Sequence, residues 1–134
     1  MTAFVDTNIV VYAHDGADRE KQQRAREVLL AHADDLVLSA QVLSETYAVL
    51  TRRIGVEPVV VRSIVAELSR FVLVALDGTL VLEAIDTSTA AQLSYWDALI
   101  VAAARAGGCD TLFTEDLSDG ATIAGVRIVN PLLA

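Results

Sequence analysis

Four acidic residues stand where a carboxylate can do chemistry rather than only keep a surface soluble: Asp6, Glu45, Asp97 and Asp116. Asp97 is the most informative. It lies in Tyr95-Trp96-Asp97-Ala98-Leu99-Ile100-Val101-Ala102-Ala103-Ala104, a segment apolar on every face of a helix and therefore expected to be buried. A carboxylate there needs a hydrogen-bond partner or a cation. Asp6 follows the apolar run Ala3-Phe4-Val5, and Asp116 closes Thr114-Glu115-Asp116 after the run Thr111-Leu112-Phe113. Glu45 sits at the margin of a helical stripe formed by Val42, Leu43, Thr46, Val49 and Leu50. If the four converge, mutual repulsion raises their pKa values unless a cation neutralises them. All-oxygen ligands select Mg²⁺ or Mn²⁺ over zinc. Such a site activates water and stabilises the charge of an in-line phosphoryl displacement.

Each acid also has an ordinary structural role open to it. Asp97 stands three residues after Ser94, the spacing of a capping box near a positive helix end. Asp6, between a strand and a helix, suits an N-cap. Asp116 suits a turn, and Glu45 a solvated edge charge. Thr7, Asn8, Ser94 and Thr114 could orient carboxylates or water, with capping and turn roles equally available to them.

The elements that must position these groups alternate. Short apolar strands are expected at residues 3–5, 36–38, 71–76, 111–113 and 126–129. Helices are expected at about 9–13, 19–33, 40–54, 58–70, 79–91 and from Ser94 to Gly107-Gly108, with Gly55 and Pro58 marking a stop and a start. This alternation implies an α/β fold, a parallel sheet covered on both faces. In open sheets of that kind function gathers outside the carboxyl ends of the strands, where Asp6 and Thr114-Glu115-Asp116 fall.

The 134-residue length predicts one domain with a sizeable core. A hydrophobic fraction of 54% and a mean hydropathy of +0.48 are high for that length, so some apolar surface is expected to be covered by a partner. No run of about 18 apolar residues predicts a membrane helix, and MTAFVDTN lacks the basic region of a signal peptide. The lone Cys109 rules out an intrachain disulfide framework and fits a reducing cytoplasm; a small buried residue is expected there. His14 and His32 lie too far apart to suggest zinc ligation and are expected at helix ends or the surface. No glycine-rich nucleotide loop is present. The net charge of −8 opposes nucleic-acid binding by a basic surface. Arg19, Lys21, Arg24 and Arg26, and Arg52-Arg53 at the end of a helix, could touch phosphate, although the interleaved Glu20 and Glu27 make the first group mostly a solvated face.

Taken together, FVDTNIVVYA, VLSETYAVLTRR, SYWDALIVAAARAGGC and LFTEDLSDGATIAGVRIVNP resemble, in order and over nearly the whole chain, a PIN-domain ribonuclease of the VapC toxin type. The resemblance implies a three-layer α/β/α fold with a five-stranded parallel sheet and Mg²⁺- or Mn²⁺-dependent cleavage of RNA. It carries the family's acids onto Asp6, Glu45, Asp97 and Asp116, with Asp119 at the rim. It also implies a homodimer held inactive by a cognate antitoxin protein whose basic tail answers the acidic site. Two other functions compete. An Asp-nucleophile phosphatase would use Asp6, but the second Asp such sites want two residues on is Asn8, and the only lysine is the early Lys21. A non-catalytic interaction module would use the acids only as caps.

Overall fold

The computed structural model describes residues 2–133. Its strands are β1 (Ala3–Val5), β2 (Leu36–Ser39), β3 (Val72–Val74), β4 (Thr111–Phe113), β5 (Thr122–Ile123) and β6 (Val126–Val129). They form one sheet in the order β3-β2-β1-β4-β6-β5. Every pairing is parallel except β5 with β6. The expected five parallel strands are thus present, and the expected count of five is corrected to six by β5. That strand reaches β6 through Ala124 and Gly125, both at positive φ, 50° and 82°. Positive φ at both central residues matches a tight hairpin turn, usually signalled by Asn-Gly or Asp-Gly; Ala-Gly gives no such signal.

The helices are α1 (Thr7–Ala13), α2 (Arg19–Ala31), α3 (Ala40–Val49), α4 (Pro58–Leu68), α5 (Gly78–Ala91) and α6 (Tyr95–Ala106). From β1 the chain steps to β2 and β3 in one direction, with α1 to α4 as the connections. It then returns through α5 and α6 to β4, on the other side of β1. Right-handed crossovers in opposite directions put the two helix groups on opposite faces. The packing agrees: α1 touches α2 and α3, α3 touches α4, and α5 packs on α6.

Burial from both sides explains why the central strands read as unbroken apolar runs rather than alternating ones. Phe4, Val5, Leu38, Leu112 and Ile128 are fully buried. So is nearly all of α6 from Ala98 to Ala104, which lies against the sheet. Gly107 lets the end of α6 come close: a Cβ there would stand 2.8 Å from Val37 Cγ1. At the far edge β3 is shorter than the expected 71–76 run, and Val72 and Leu73 are exposed.

The α3 helix continues into a π-helical turn, Leu50–Ile54, and stops at Gly55 with φ +82°. Because the chain leaves β1 to one side and re-enters at β4 on the other, the crevice between the carboxyl ends of these two strands is a topological switch point.

Candidate active site

Asp6 is the first residue beyond β1 and the N-cap of α1. Its backbone N–H continues the ladder by donating to the Phe113 carbonyl (3.0 Å), which fixes it beside the end of β4. One carboxylate oxygen accepts from the Thr7 N–H (2.7 Å) and the other from the Thr114 hydroxyl (2.8 Å). The capping role and an inward-facing role are therefore met by different oxygens of one side chain. Thr114 in turn accepts from the Asp116 N–H (3.1 Å), folding the loop after β4 back over the strand end. Asn8, in the first turn of α1, donates from its amide to the Asp116 carboxylate (2.9 Å).

The Thr7 hydroxyl donates to Glu45 on α3 (3.0 Å). Along α3 the residues Gln41, Glu45, Val49 and Arg53, four apart, all line one cavity, as expected for one row of a helix surface. Asp97 enters the same cavity from the first turn of α6. Ser94 caps that helix by accepting from the Asp97 N–H (3.1 Å). The return half of a capping box is absent: among the described residues the Asp97 carboxylate makes no hydrogen bond. All four acids thus line one cavity of about 290 Å³, together with Thr7, Asn8 and Tyr12.

Burial dominates the electrostatics of Asp6. Only 6% of it is exposed, and desolvation pushes its pKa up from 3.8 to about 6. The Thr114 and Thr7 hydrogen bonds pull the other way, while the charges of Asp116 and Glu45 push it up further. The molecule therefore holds a carboxylate against both desolvation and like charge, the situation that a bound cation relieves. Among the described residues no three Asp, Glu, His or Cys side chains stand close enough to form a ready-made metal cage. The donor set still fits a hard divalent ion: every ligand-type group in the cavity is an oxygen, and Asp97 and Asp116 are only partly buried or exposed.

A family model for the PIN domain matches residues 3–118. The chain belongs to the PIN domain family. No curated protein matches its sequence. The fold of this PIN domain is similar to that of solved structures. One is a toxin–antitoxin complex from Klebsiella pneumoniae, at 22% identity and a TM-score of 0.72, covering 97% of this chain and 98% of that one. Another is VapC20 of Mycobacterium tuberculosis, described as a sarcin–ricin-loop-cleaving toxin, at 22% identity and a TM-score of 0.73, covering 94% and 99%. A third is DNA-bound VapBC from Salmonella typhimurium, at 18% identity and a TM-score of 0.70, covering 96% of each chain.

Three residues expected near the site of this PIN domain do not line the cavity. Thr114 acts from behind it, through its hydrogen bond to Asp6. Ser94 acts only through the α6 cap. The Asp119 carboxylate accepts from the Asn130 N–H (2.8 Å) and so ties its turn to the end of β6. His14 and His32 cap the ends of α1 and α2. Cys109 is buried, and its thiol is pushed up to about 11 by that burial, which leaves no nucleophile there at neutral pH.

Sequence reasoning missed the rim. Tyr12 donates to Glu115 (2.7 Å), and Lys21 reaches both Glu115 (3.1 Å) and the Tyr12 oxygen (3.3 Å). The Glu115 hydrogen bond raises the pKa of Tyr12 and of Lys21 alike. This cluster clamps the residue next to Asp116 against α1 and α2. Trp96 was also missed as a cavity residue. Arg53, expected as a possible phosphate contact, lines the cavity as well, and the four-residue spacing from Glu45 to Val49 to Arg53 was the signal that placed it there.

Proposed function

We propose that this PIN domain is a Mg²⁺- or Mn²⁺-dependent endoribonuclease, the toxin of a toxin–antitoxin pair, with Asp6, Glu45, Asp97 and Asp116 as metal ligands and catalytic groups. The observation that carries the reading is the meeting of four acids, from four separate chain segments, in one cavity at the switch point of the sheet. When bound there, a hard divalent ion supplies Lewis-acid polarisation of a phosphate and lowers the pKa of water.

The chain's own residues prepare that chemistry. Thr7 and Thr114 hold Asp6 in one orientation and favour its ionised form. Thr7 also turns Glu45 inward, and Asn8 sets the direction of Asp116. Asp97, with no hydrogen bond of its own, is free to take a ligand position or to orient water. The low-dielectric floor under Asp6 strengthens every charge interaction made above it.

The toxin role is supported by the likeness to the toxin–antitoxin complexes among the solved structures. A net charge of −8 and an acid-lined cavity suit a basic antitoxin segment. In this reading the protein is a cytoplasmic homodimer, and the exposed Val59, Val60, Val72 and Leu76 are surface for a second copy to cover. No described helix is long and apolar enough to cross a membrane.

Mixed RNA incubated with the purified protein tests the catalytic part. Cutting that needs Mg²⁺ or Mn²⁺ and disappears in Asp6→Asn and Asp97→Asn supports it; undiminished cutting in both variants overturns the site. Sedimentation showing only monomer at micromolar concentration, without antitoxin, overturns the homodimer.

A further inference from the structure

The acid-lined cavity has a rim that the four carboxylates do not explain. Arg53 is the one cation among the residues that line it. It sits on the π-helical turn, in the same row as Glu45 and two turns further along, about 12 Å by helix rise. Among the described residues it makes no ion pair and no hydrogen bond, although the cavity it faces is acidic. Trp96, the chain's single tryptophan, lines the same cavity immediately before Asp97. It is 65% exposed, while residues 98–104 of its helix are all buried. Its aromatic neighbour is Tyr95, in an edge-on contact at 5.0 Å and 75°. Scattered exposed apolar side chains are ordinary; an indole kept out of the core beside Asp97, over a cavity that also holds an unpaired guanidinium, has a more specific use.

We propose that Trp96 and Arg53 form a nucleotide-holding rim: the indole stacks on a base of single-stranded RNA, and the guanidinium takes a backbone phosphate. The inference rests on the ribonuclease reading above and names how that site grips its substrate. Indole stacking tolerates any base, because every base has a π-face. A guanidinium fork suits phosphate better than an ammonium does. The pairing answers the charge problem locally, since one cation at the rim offers phosphate an attractive approach to a site whose other charged groups are acids.

The single tryptophan makes the test direct. A short single-stranded oligoribonucleotide of mixed sequence is titrated into the Asp6→Asn protein in Mg²⁺, so that the strand is not cut, and indole emission is followed. The proposal expects emission to quench with saturation. In that background Arg53→Gln weakens binding about tenfold and reduces the slope of log Kd against log salt by about one. Trp96→Ala weakens binding by about tenfold, measured with labelled RNA, and Trp96→Phe restores most of it. In otherwise native protein both Trp96→Ala and Arg53→Gln raise KM for RNA more than they lower kcat. Emission unchanged at saturating RNA, or KM for RNA unmoved in Trp96→Ala while native protein still cuts RNA, overturns the rim and leaves the ribonuclease standing. Failure of the native protein to cut RNA in any metal overturns the function itself.

Discussion

Asp35 and Asp110 immediately precede β2 and β4 at the amino ends of the sheet, whereas Asp6 and Asp116 follow β1 and β4 at the carboxyl ends. The amino-end acids are settled locally. Asp35 pairs with His32 at 3.1 Å and keeps about a third of its side chain in water, and Asp110 is exposed. The carboxyl-end acids share a cavity with three more carboxylates, Asp15, Glu45 and Asp97, and Asp6 is buried with a raised pKa. Acids cost the fold little where each keeps its water or a local partner. They cost stability where one is buried beside others, as Asp6 is, and under the proposed function that cost marks the carboxyl ends as the working end.

The largest way to sharpen this contrast is to neutralise acids at both ends. Asp6→Asn and Asp97→Asn are expected to lower RNA cleavage more than about 100-fold, beyond the loss usual for groups that only orient a ligand. Asp35→Asn and Asp110→Asn should stay within about twofold in the same assay, since a surface acid away from the site contributes little. Comparable losses at both ends would erase the distinction.

Next comes Thr114, fully buried, which donates to Asp6 and accepts from the Asp116 N–H. Thr114→Val keeps the shape and removes both bonds, together with a long one from the Asn8 amide (3.5 Å). Activity is expected to fall about 10- to 100-fold, with a loss of about 1–3 kcal/mol in denaturant unfolding from the unpaired buried groups. An active and equally stable Thr114→Val protein would show that Asp6 needs no such support.

A third effect has the opposite sign. The Asp6 pKa is 3.8 in the ordinary state and about 6 in the fold, so the folded chain binds this proton more tightly than the unfolded chain. Its ionised form therefore penalises folding fully above pH 6, by about 3 kcal/mol at most for a shift of roughly two units. The penalty shrinks as pH falls from 6 towards 3.8 and is absent below. In EDTA, Asp6→Asn should accordingly be more stable than the native chain at pH 7, and the gap should close by about pH 4. A gap independent of pH, or of reversed sign, contradicts the buried-charge account.

How far these features could be read in advance depended on whether a local pattern recorded them. The parallel strands and the helices carry continuous apolar runs and clear stops, and they form close to the expected positions. Thr122–Ile123 is two residues long and turns on Ala-Gly, so neither length nor turn chemistry announces it. The π-helical turn is likewise invisible to a periodicity that assumes one helical phase. Within the site, Asp97 stood out because its helix is apolar all round, and Asp6 and Asp116 because strand ends gather function. Glu45 needs tertiary context: its stripe margin becomes meaningful only once Gln41, Val49 and Arg53 are seen to line the cavity with it. Asp119, in the same turn as Asp116, was expected only at the rim, and its carboxylate is used by the Asn130 N–H. Spacing along a loop does not reveal which side chain the backbone claims.

The claim that these four acids hold a divalent ion is tested most directly by titrating Mn²⁺ into metal-free protein and following binding by calorimetry. The account predicts saturable binding to the native chain, strong weakening in Asp6→Asn and in Asp97→Asn, and native affinity in Asp35→Asn. Equal Mn²⁺ affinity in all four proteins, or none in the native chain, would contradict it.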